Sequence, residues 1–407
     1  MNWEYVTLDK LGDVSRGRSK HRPRNDASLF GGDYPFIQTA DVKDAPFYIT
    51  SYSDTYNEKG LSQSKLWNKG TLCITIAANI ADTAILGIDA CFPDSVMGFI
   101  PHKGVSDVRF VKYAFDMLQR DMRQISQGTA QDNLSWQKLS TIMFPKPPID
   151  IQERIADVLA AYEDLIENNQ KQIKLLEEAA QRLYKEWFVN LRFPGHEDTV
   201  LLNDLPIGWK KIRLGDLDCK LEAGTRPKGG VGDITVGVPS IGAENVIGLG
   251  KYNYSSEKLI SREFFSNMKR GILQDRDILI YKDGAYIGRT SLFQDGFPHK
   301  EAAVNEHVFL LHTENEDLQY YLFFTLYQHE YFIKMQKLNK NSAQPGINSK
   351  SMMSLELTIP DERLIFQFNQ LIFPLMRQLF NKAKQNHYLI EARDRLLPKL
   401  MSGETEL

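Results

Sequence analysis

A run of cations near the N-terminus carries the first recognisable chemistry. Arg16, Arg18, Lys20, Arg22 and Arg24, with His21 among them, lie between Val14 and Asn25, where no acidic residue occurs. Cations spaced like this along a loop neutralise phosphate oxygens, and an arginine fork can also pair bidentately with guanine. Gly224-Thr225-Arg226-Pro227-Lys228 is a second basic segment. A further acid-free stretch runs from Tyr331 to Leu355 and includes Lys334, Lys337, Lys340 and Lys350. A charged surface loop with no partner has the same composition, so each run alone leaves both readings open. Polar groups able to read base edges are Gln38, Thr39, Asn79, Gln131 and Asn133 early in the chain. Later ones are Thr225, Glu244, Asn245, Lys282, Tyr286, Arg289, Gln344 and Asn348.

No enzyme constellation accompanies these groups. There is no G-x-G-x-x-G between a strand and a helix, no G-x-x-x-x-G-K-[ST] and no H-E-x-x-H. Gly229-Gly230-Val231-Gly232 follows Pro227-Lys228 and reads as a loop. Pro147-Pro148 lacks the Asn or Asp before it and the aromatic after it that an amino-methyltransferase active site needs; it ends a module instead. The histidines are scattered, and His307 reads as a strand residue near a core. Cys73, Cys91 and Cys219 are far apart, which implies a reducing compartment and three buried thiols. No apolar run approaches the roughly 18 residues of a membrane span, and the N-terminus has no signal-peptide pattern, so a cytoplasmic protein is expected. The net charge of -3 argues against a free-standing nucleic-acid binder; local patches or a partner must supply the positive surface.

The elements that position these residues occur twice. Trp3-x-x-Val6-x-Leu8 returns as Trp209-x-x-Ile212-x-Leu214, and Pro35 to Val42 aligns with Pro239 to Val246. Leu72-Cys73-Ile74 aligns with Ile278-Leu279-Ile280, and Ala130-Gln131 with Ala343-Gln344. Lys171-Gln172, Leu176, Glu178-Ala179 and Arg182-Leu183 recur as Lys384-Gln385, Leu389, Glu391-Ala392 and Arg395-Leu396 in a single register. The basic segment at Gly224 then falls where the first basic run falls in its own module, which turns two ambiguous loops into a repeated feature.

Each module reads as mixed α/β. Strands are expected at 35–42, 71–77, 84–88, 96–100 and 141–145, with a helix from Val108 to about Ile125. In the second copy strands are expected near 278–281, 289–294 and 304–311, then a helix from Asp317 to about Gln336. A long helix follows each module. The first carries Ile155, Val158, Leu159, Tyr162, Leu165, Ile166, Ile173, Leu176, Leu183 and Trp187 as a heptad-like stripe. The second carries Phe366, Phe368, Leu371, Leu375, Leu379, Leu389 and Leu396, with a kink or break expected at Pro374. The organisation is therefore a module over 1–150, a helix over 151–192, a linker over 193–208, a second module over 209–360, a helix over 361–400 and a tail over 401–407. The two stripes bury best against each other as an antiparallel coiled-coil spacer.

These features resemble the specificity subunits of Type I restriction-modification systems. The resemblance rests on Leu11-Gly12-Asp13 after Trp3, on Pro35 to Val42, and on Pro147-Pro148-Ile149-x-Ile151-Gln152-Glu153-Arg154-Ile155-Ala156 opening a long helix. Leu205-Pro206-x-Gly208-Trp209 and Arg393 to Gly403 complete it. The second helix departs from the pattern, beginning Asp361-Glu362-Arg363-Leu364 without the Gln-Glu-Arg-Ile of the first.

The resemblance implies a non-catalytic subunit with two target-recognition domains, each reading one half of a split, asymmetric DNA site. The half-sites would lie about one helical turn, ~34–36 Å, apart. It also implies two methyltransferase subunits that bind S-adenosylmethionine and flip adenine, and a motor-nuclease subunit that uses ATP and Mg for restriction. This chain would hold no cofactor or metal of its own. Ile155, Leu159, Tyr162, Leu176, Leu183, Leu389 and Leu396 would serve the helix pair or the methyltransferase contact. The alternatives are a single-chain enzyme, a recognition subunit of another phage-defence complex with this fold, and a two-module scaffold that does not bind DNA.

Overall fold

The computed structural model describes residues 3–76, 82–125, 136–232, 234–339 and 346–405. The chain divides into two compact units, Met1–Glu167 with Tyr388–Leu407, and Asn168–His387.

In the first unit, strand Glu4–Thr7 pairs antiparallel with Met143–Lys146 and ties the start of the module to its end. A five-stranded sheet follows in the order Gly12–Arg16, Val96–Pro101, Leu72–Thr75, Thr83–Leu86, Tyr48–Ile49. Leu72–Thr75 and Thr83–Leu86 are buried at every residue, as central strands covered on both faces must be. A smaller sheet has the order Asp54–Tyr56, Phe30–Phe36, Ala90–Cys91, Leu66–Trp67, with Phe36 and Cys91 paired in parallel. Helix Val108–Ile125 supplies Phe110, Val111, Ala114 and Phe115 to the core.

The second unit repeats this plan. Lys210–Arg213 pairs with Glu356–Ile359, and Cys219–Ala223, Val308–Thr313, Ile278–Tyr281 and Thr290–Leu292 form the main sheet. Leu259–Ile260, Val238–Ile241 and Ala303–Val304 form the smaller one, with Ile241 and Val304 paired in parallel. The register explains the recurring sequence: Leu72 to Ile74 and Ile278 to Ile280 occupy the same place beside the strand that starts at Val96 or Val308. The protein is mixed α/β, with two homologous globular domains joined by two long helices.

Several expected elements differ. The strand expected over 35–42 stops at Phe36, and Thr39–Asp44 is a helix, because Asp41 accepts the Gln38 N–H at 2.7 Å and starts a helical turn. The strand expected over 304–311 is two, Ala303–Val304 and Val308–Thr313, so exposed His307 lies in the turn between them rather than in a strand. The helix expected from Asp317 to Gln336 is Glu316–Tyr327 followed by His329–Lys337. Cys73 and Cys91 are buried, whereas Cys219 is only half-buried.

Helix Ile149–Tyr184 ends in a π-helical turn, Lys185–Val189, and helix Glu362–Met401 runs unbroken through Pro374, an exposed position. Within each unit the two helices run antiparallel. In the first, Glu163 meets Arg393 while Ile155, Leu159, Leu397 and Leu400 share a core. In the second, Tyr184 and Trp187 meet Phe368, and Ile173 and Leu379 lie together against Gly250.

The two repeated tryptophans close the two units. Trp3 packs on Phe110 and Gly403, just past the end of one long helix. Trp209 packs on Phe188 and Phe193, at the end of the other. No helix among the described residues is long and apolar enough to cross a membrane.

Candidate nucleic-acid interface

In the first unit Arg16 ends its strand, and the chain then crosses the segment 91–94. Gly17 N–H donates to the Val96 carbonyl at 2.8 Å, and Arg18 N–H to the Phe92 carbonyl at 3.0 Å. A Cβ on Gly17 would stand 2.3 Å from the Pro93 carbonyl oxygen, so the approach requires glycine. The loop beyond is held in place. Ser64 Oγ donates to the Arg18 carbonyl at 2.7 Å, and Gln63 Oε1 accepts from the Lys20 and His21 N–H groups at 2.6 and 3.0 Å. His21 Nε2 lies 2.7 Å from Asp26 Oδ2. Hydrogen bonds from the Ser28 backbone and hydroxyl, and then from His21, hold the Asp26 carboxyl down at about 2.

The cations of this loop fall into two classes. Arg22 donates to the Ser19 and His21 carbonyls and stands 3.8 Å from Asp94, while Arg24 meets Asp94 at 2.6 Å. Arg16, Arg18 and Lys20 are exposed, and no described carboxylate lies within ion-pair distance of them. The run is acid-free in sequence but not in space, because the fold brings in Asp94.

The second unit repeats the device. Gly224 N–H donates to the Asn305 carbonyl at 3.2 Å, and a Cβ there would overlap the Val304 carbonyl oxygen at 1.6 Å. Arg226 Nε meets Glu306 at 2.8 Å, as Arg24 meets Asp94. Lys228 is exposed with no carboxylate partner among the described residues, and Thr225 is half-buried. Lys282 Nζ donates to the Glu306 carbonyl at 3.1 Å and stands 3.2 Å from Asp283, which also faces His307 at 3.3 Å. Asp94 and Glu306 were not singled out from sequence. The signal for them is that each stands three positions after the first parallel-paired residue of its short strand, Cys91 or Ala303.

Other expected contact residues fare differently. Gln38 is exposed, but its Nε2 donates to Asp54 at 2.6 Å, and Thr39 sits half-buried in the first helical turn. Glu244 is exposed, 3.7 Å from Lys258. Asn245 is 2% exposed and accepts from Ser256 Oγ, so it is an interior residue, not a surface reader. Asn348 caps helix Ser349–Met353 by accepting the Ser351 N–H at 2.8 Å. Tyr286 is half-exposed, with the Arg289 guanidinium 3.6 Å over its ring. Lys334 is paired to Glu330 at 2.6 Å, whereas Lys337 and Lys350 have no carboxylate partner among the described residues. Asn79, Gln131, Asn133, Lys340 and Gln344, with the Ala130 and Ala343 match, lie outside the described residues.

On the helices, Ile155 and Leu159 are buried at 2% and 0% in the core of the first unit, which removes them from any contact with a second protein. Leu176 and Leu183 pack partly against the core of the second unit, and Leu396 against that of the first. Tyr162 and Leu389 are half-exposed. The buried stripe of the second helix runs through Leu364, Ile365, Phe368, Ile372, Met376 and Leu379, so Phe366 and Leu371, expected within it, face outward. No cluster of three or more metal-ligating side chains occurs among the described residues.

Comparison with known proteins gives a consistent result. The family model for the Type I restriction modification DNA specificity domain matches residues 1–178 and 206–391, one span for each copy of the repeat. The MjaIX specificity subunit of a Type I restriction enzyme from Methanocaldococcus jannaschii is 26% identical over 414 residues, covering 99% of this chain and 93% of that protein. The MjaVIII specificity subunit from the same organism is 20% identical over 411 residues, with the same coverage. The crystal structure of the S subunit of a Type I restriction-modification system from M. genitalium shares the fold, with a TM-score of 0.61 at 15% identity over 98% of this chain and 96% of that one. The duplicated modules with their paired basic loops thus have a family: this chain belongs to the Type I restriction-modification DNA specificity family.

Proposed function

We propose that this chain reads a bipartite, asymmetric DNA site for a Type I restriction-modification complex, each module taking one half-site. The observation that carries the proposal is the same loop at the same topological point of both modules. Each is pinned by a glycine against the parallel-paired segment and steadied by one acid, yet each presents different side chains. A shared mount with diverged contents suits two readers of unlike sequences. In this reading the chain works in the cytoplasm without catalytic groups of its own. Two methyltransferase subunits hold S-adenosylmethionine, and a motor-nuclease subunit uses ATP and Mg. The methyltransferase contact is assigned to outward apolar side chains of the second helix, Phe366 and Phe373, which are 49% and 41% exposed and seven residues apart on one face.

The test is selection from a random duplex library by the chain with its methyltransferase subunits. A split consensus with a fixed gap is expected; absence of any enriched bipartite sequence refutes the proposal. A charge-specific prediction accompanies it. R16A/R18A/K20A should weaken binding and flatten the salt dependence by about 0.9 in log–log slope for each phosphate left without its cation. R22A/R24A should change the slope less, because Asp94 offsets one of those two charges and Arg24 is held directly on it. Equal slopes for both variants in a salt titration would remove the loop from the interface.

A further inference from the structure

The loop between strands Ile278–Tyr281 and Thr290–Leu292 is held by its own backbone hydrogen bonds. Tyr281 N–H donates to the Arg289 carbonyl at 2.8 Å, Gly288 N–H to the Tyr281 carbonyl at 3.0 Å, and Arg289 N–H to the Tyr286 carbonyl at 3.0 Å. Ile287, 4% exposed, anchors the loop in the core of the second unit. Lys282 N–H donates to the His307 carbonyl at 3.0 Å, and its ammonium reaches the Glu306 carbonyl. The loop is thereby joined to the residue that holds Arg226. It therefore stands at the same end of the sheet as the basic segment 224–228.

On this rigid support Tyr281, Tyr286 and Arg289 form a ladder. The two rings meet edge to face at 6.2 Å, and the guanidinium lies 3.6 Å over Tyr286. Tyr286 is 48% exposed. No side-chain hydrogen bond and no carboxylate within ion-pair distance engages Arg289 among the described residues. A guanidinium with its flat face covered and its N–H edge unspent is set in plane before it meets a ligand, so little rotamer freedom remains to be lost. Its two parallel N–H groups match two acceptors side by side, the O6 and N7 of guanine in the major groove.

We infer that Arg289 reads one guanine in the half-site taken by the second module, with Tyr286 as the positioning residue that holds its plane. This rests on the DNA-reading function proposed above and names a base within it. Lys282 and Arg226, already spent on Glu306 and Asp283, are steadying groups in this scheme rather than readers.

The experiment compares library selection by the wild-type complex with selection by R289A, R289K and Y286A complexes. The wild type should enrich a G·C pair at one position of one half-site. R289A should reduce preference there on the order of ten- to a hundred-fold, leaving the other half-site and the gap unchanged. R289K keeps the charge and the stem but not the fork, so it should lose the same preference while retaining the salt slope. Y286A should relax the same position to a smaller degree, and Y286F should restore it. If R289A leaves both half-sites unchanged, the inference is overturned while the DNA-reading function stands. The same follows if R289A lowers affinity equally for all sequences with a slope change of about one, the mark of a phosphate contact. If the wild-type complex enriches nothing, the function itself fails, and the inference with it.

Discussion

Arg393→Ala is expected to destabilise the first unit by about 3–5 kcal/mol, the usual cost of removing one member of a buried ion pair. Arg393 Nη1 donates to Glu163 Oε1 at 2.8 Å, linking the two long helices inside that unit. Its Nε and Nη2 also hold Asp394, at 3.0 and 2.8 Å, and Asp394 in turn meets Arg120 of helix Val108–Ile125. Glu163 is only 8% exposed. Burial pushes its carboxyl up, and Arg393 opposes that push. Without Arg393 the carboxylate is left in a poor solvent, so it protonates or the helices separate. A loss of this size corresponds to a fall of roughly 6–20 °C in unfolding midpoint for a unit of this size.

The pH dependence has a definite sign. A carboxyl whose folded pKa is raised binds a proton more readily folded than unfolded. Its favourable contribution is complete below the ordinary Glu value and is lost as pH rises through the folded value. The Arg393→Ala defect should therefore be smaller near pH 5 than near pH 8. E163Q in the R393A background should recover part of it by removing the charge. Thermal unfolding at the two pH values decides the matter, and a loss under 1 kcal/mol, or one independent of pH, would contradict this account.

How far the sequence announced this structure depends on where each signal resides. The central strands were legible because continuous burial leaves an apolar run with no polar phase, as at Leu72 to Ile74 and Ile278 to Ile280. The duplication was legible because the positions that recur are those that close each unit, Trp3 and Trp209 above all. Helix Thr39–Asp44 was not, since Phe36 and Ile37 lead into it with strand-like residues and only the Gln38–Asp41 cap marks the change. The basic loop was legible as composition, but its division into paired and free cations was not. Asp94 lies 70 positions from Arg24, and no local pattern encodes that meeting. Arg289 could be named as polar and basic; its cover by Tyr286 comes from a loop geometry that no spacing rule supplies.

Phe368→Ala is expected to cost about 3–5 kcal/mol, whereas Phe366→Ala, two positions away, should change stability by less than about 0.5 kcal/mol. Both sit in helix Glu362–Met401, and a stripe drawn from residue type alone includes both. Two residues on a helix separated by two positions are about 200° apart, so they cannot share a face. The structure resolves which is inside. Phe368 is fully buried among Phe188, at 4.9 Å between ring centroids, Tyr184 and Trp187, each at 6.1 Å, and Phe324 at 6.2 Å. Truncating it opens a cavity walled by four large rings that cannot close around it. Phe366 is 49% exposed and leaves no such space. Its effect belongs in assembly: F366A should fold as wild type yet retain methyltransferase subunits less well in size-exclusion chromatography. Denaturant unfolding reads the first difference and co-elution the second. Equal stability losses for the two variants would show that the buried face has been misassigned, and normal co-elution of F366A would remove this residue from the docking surface.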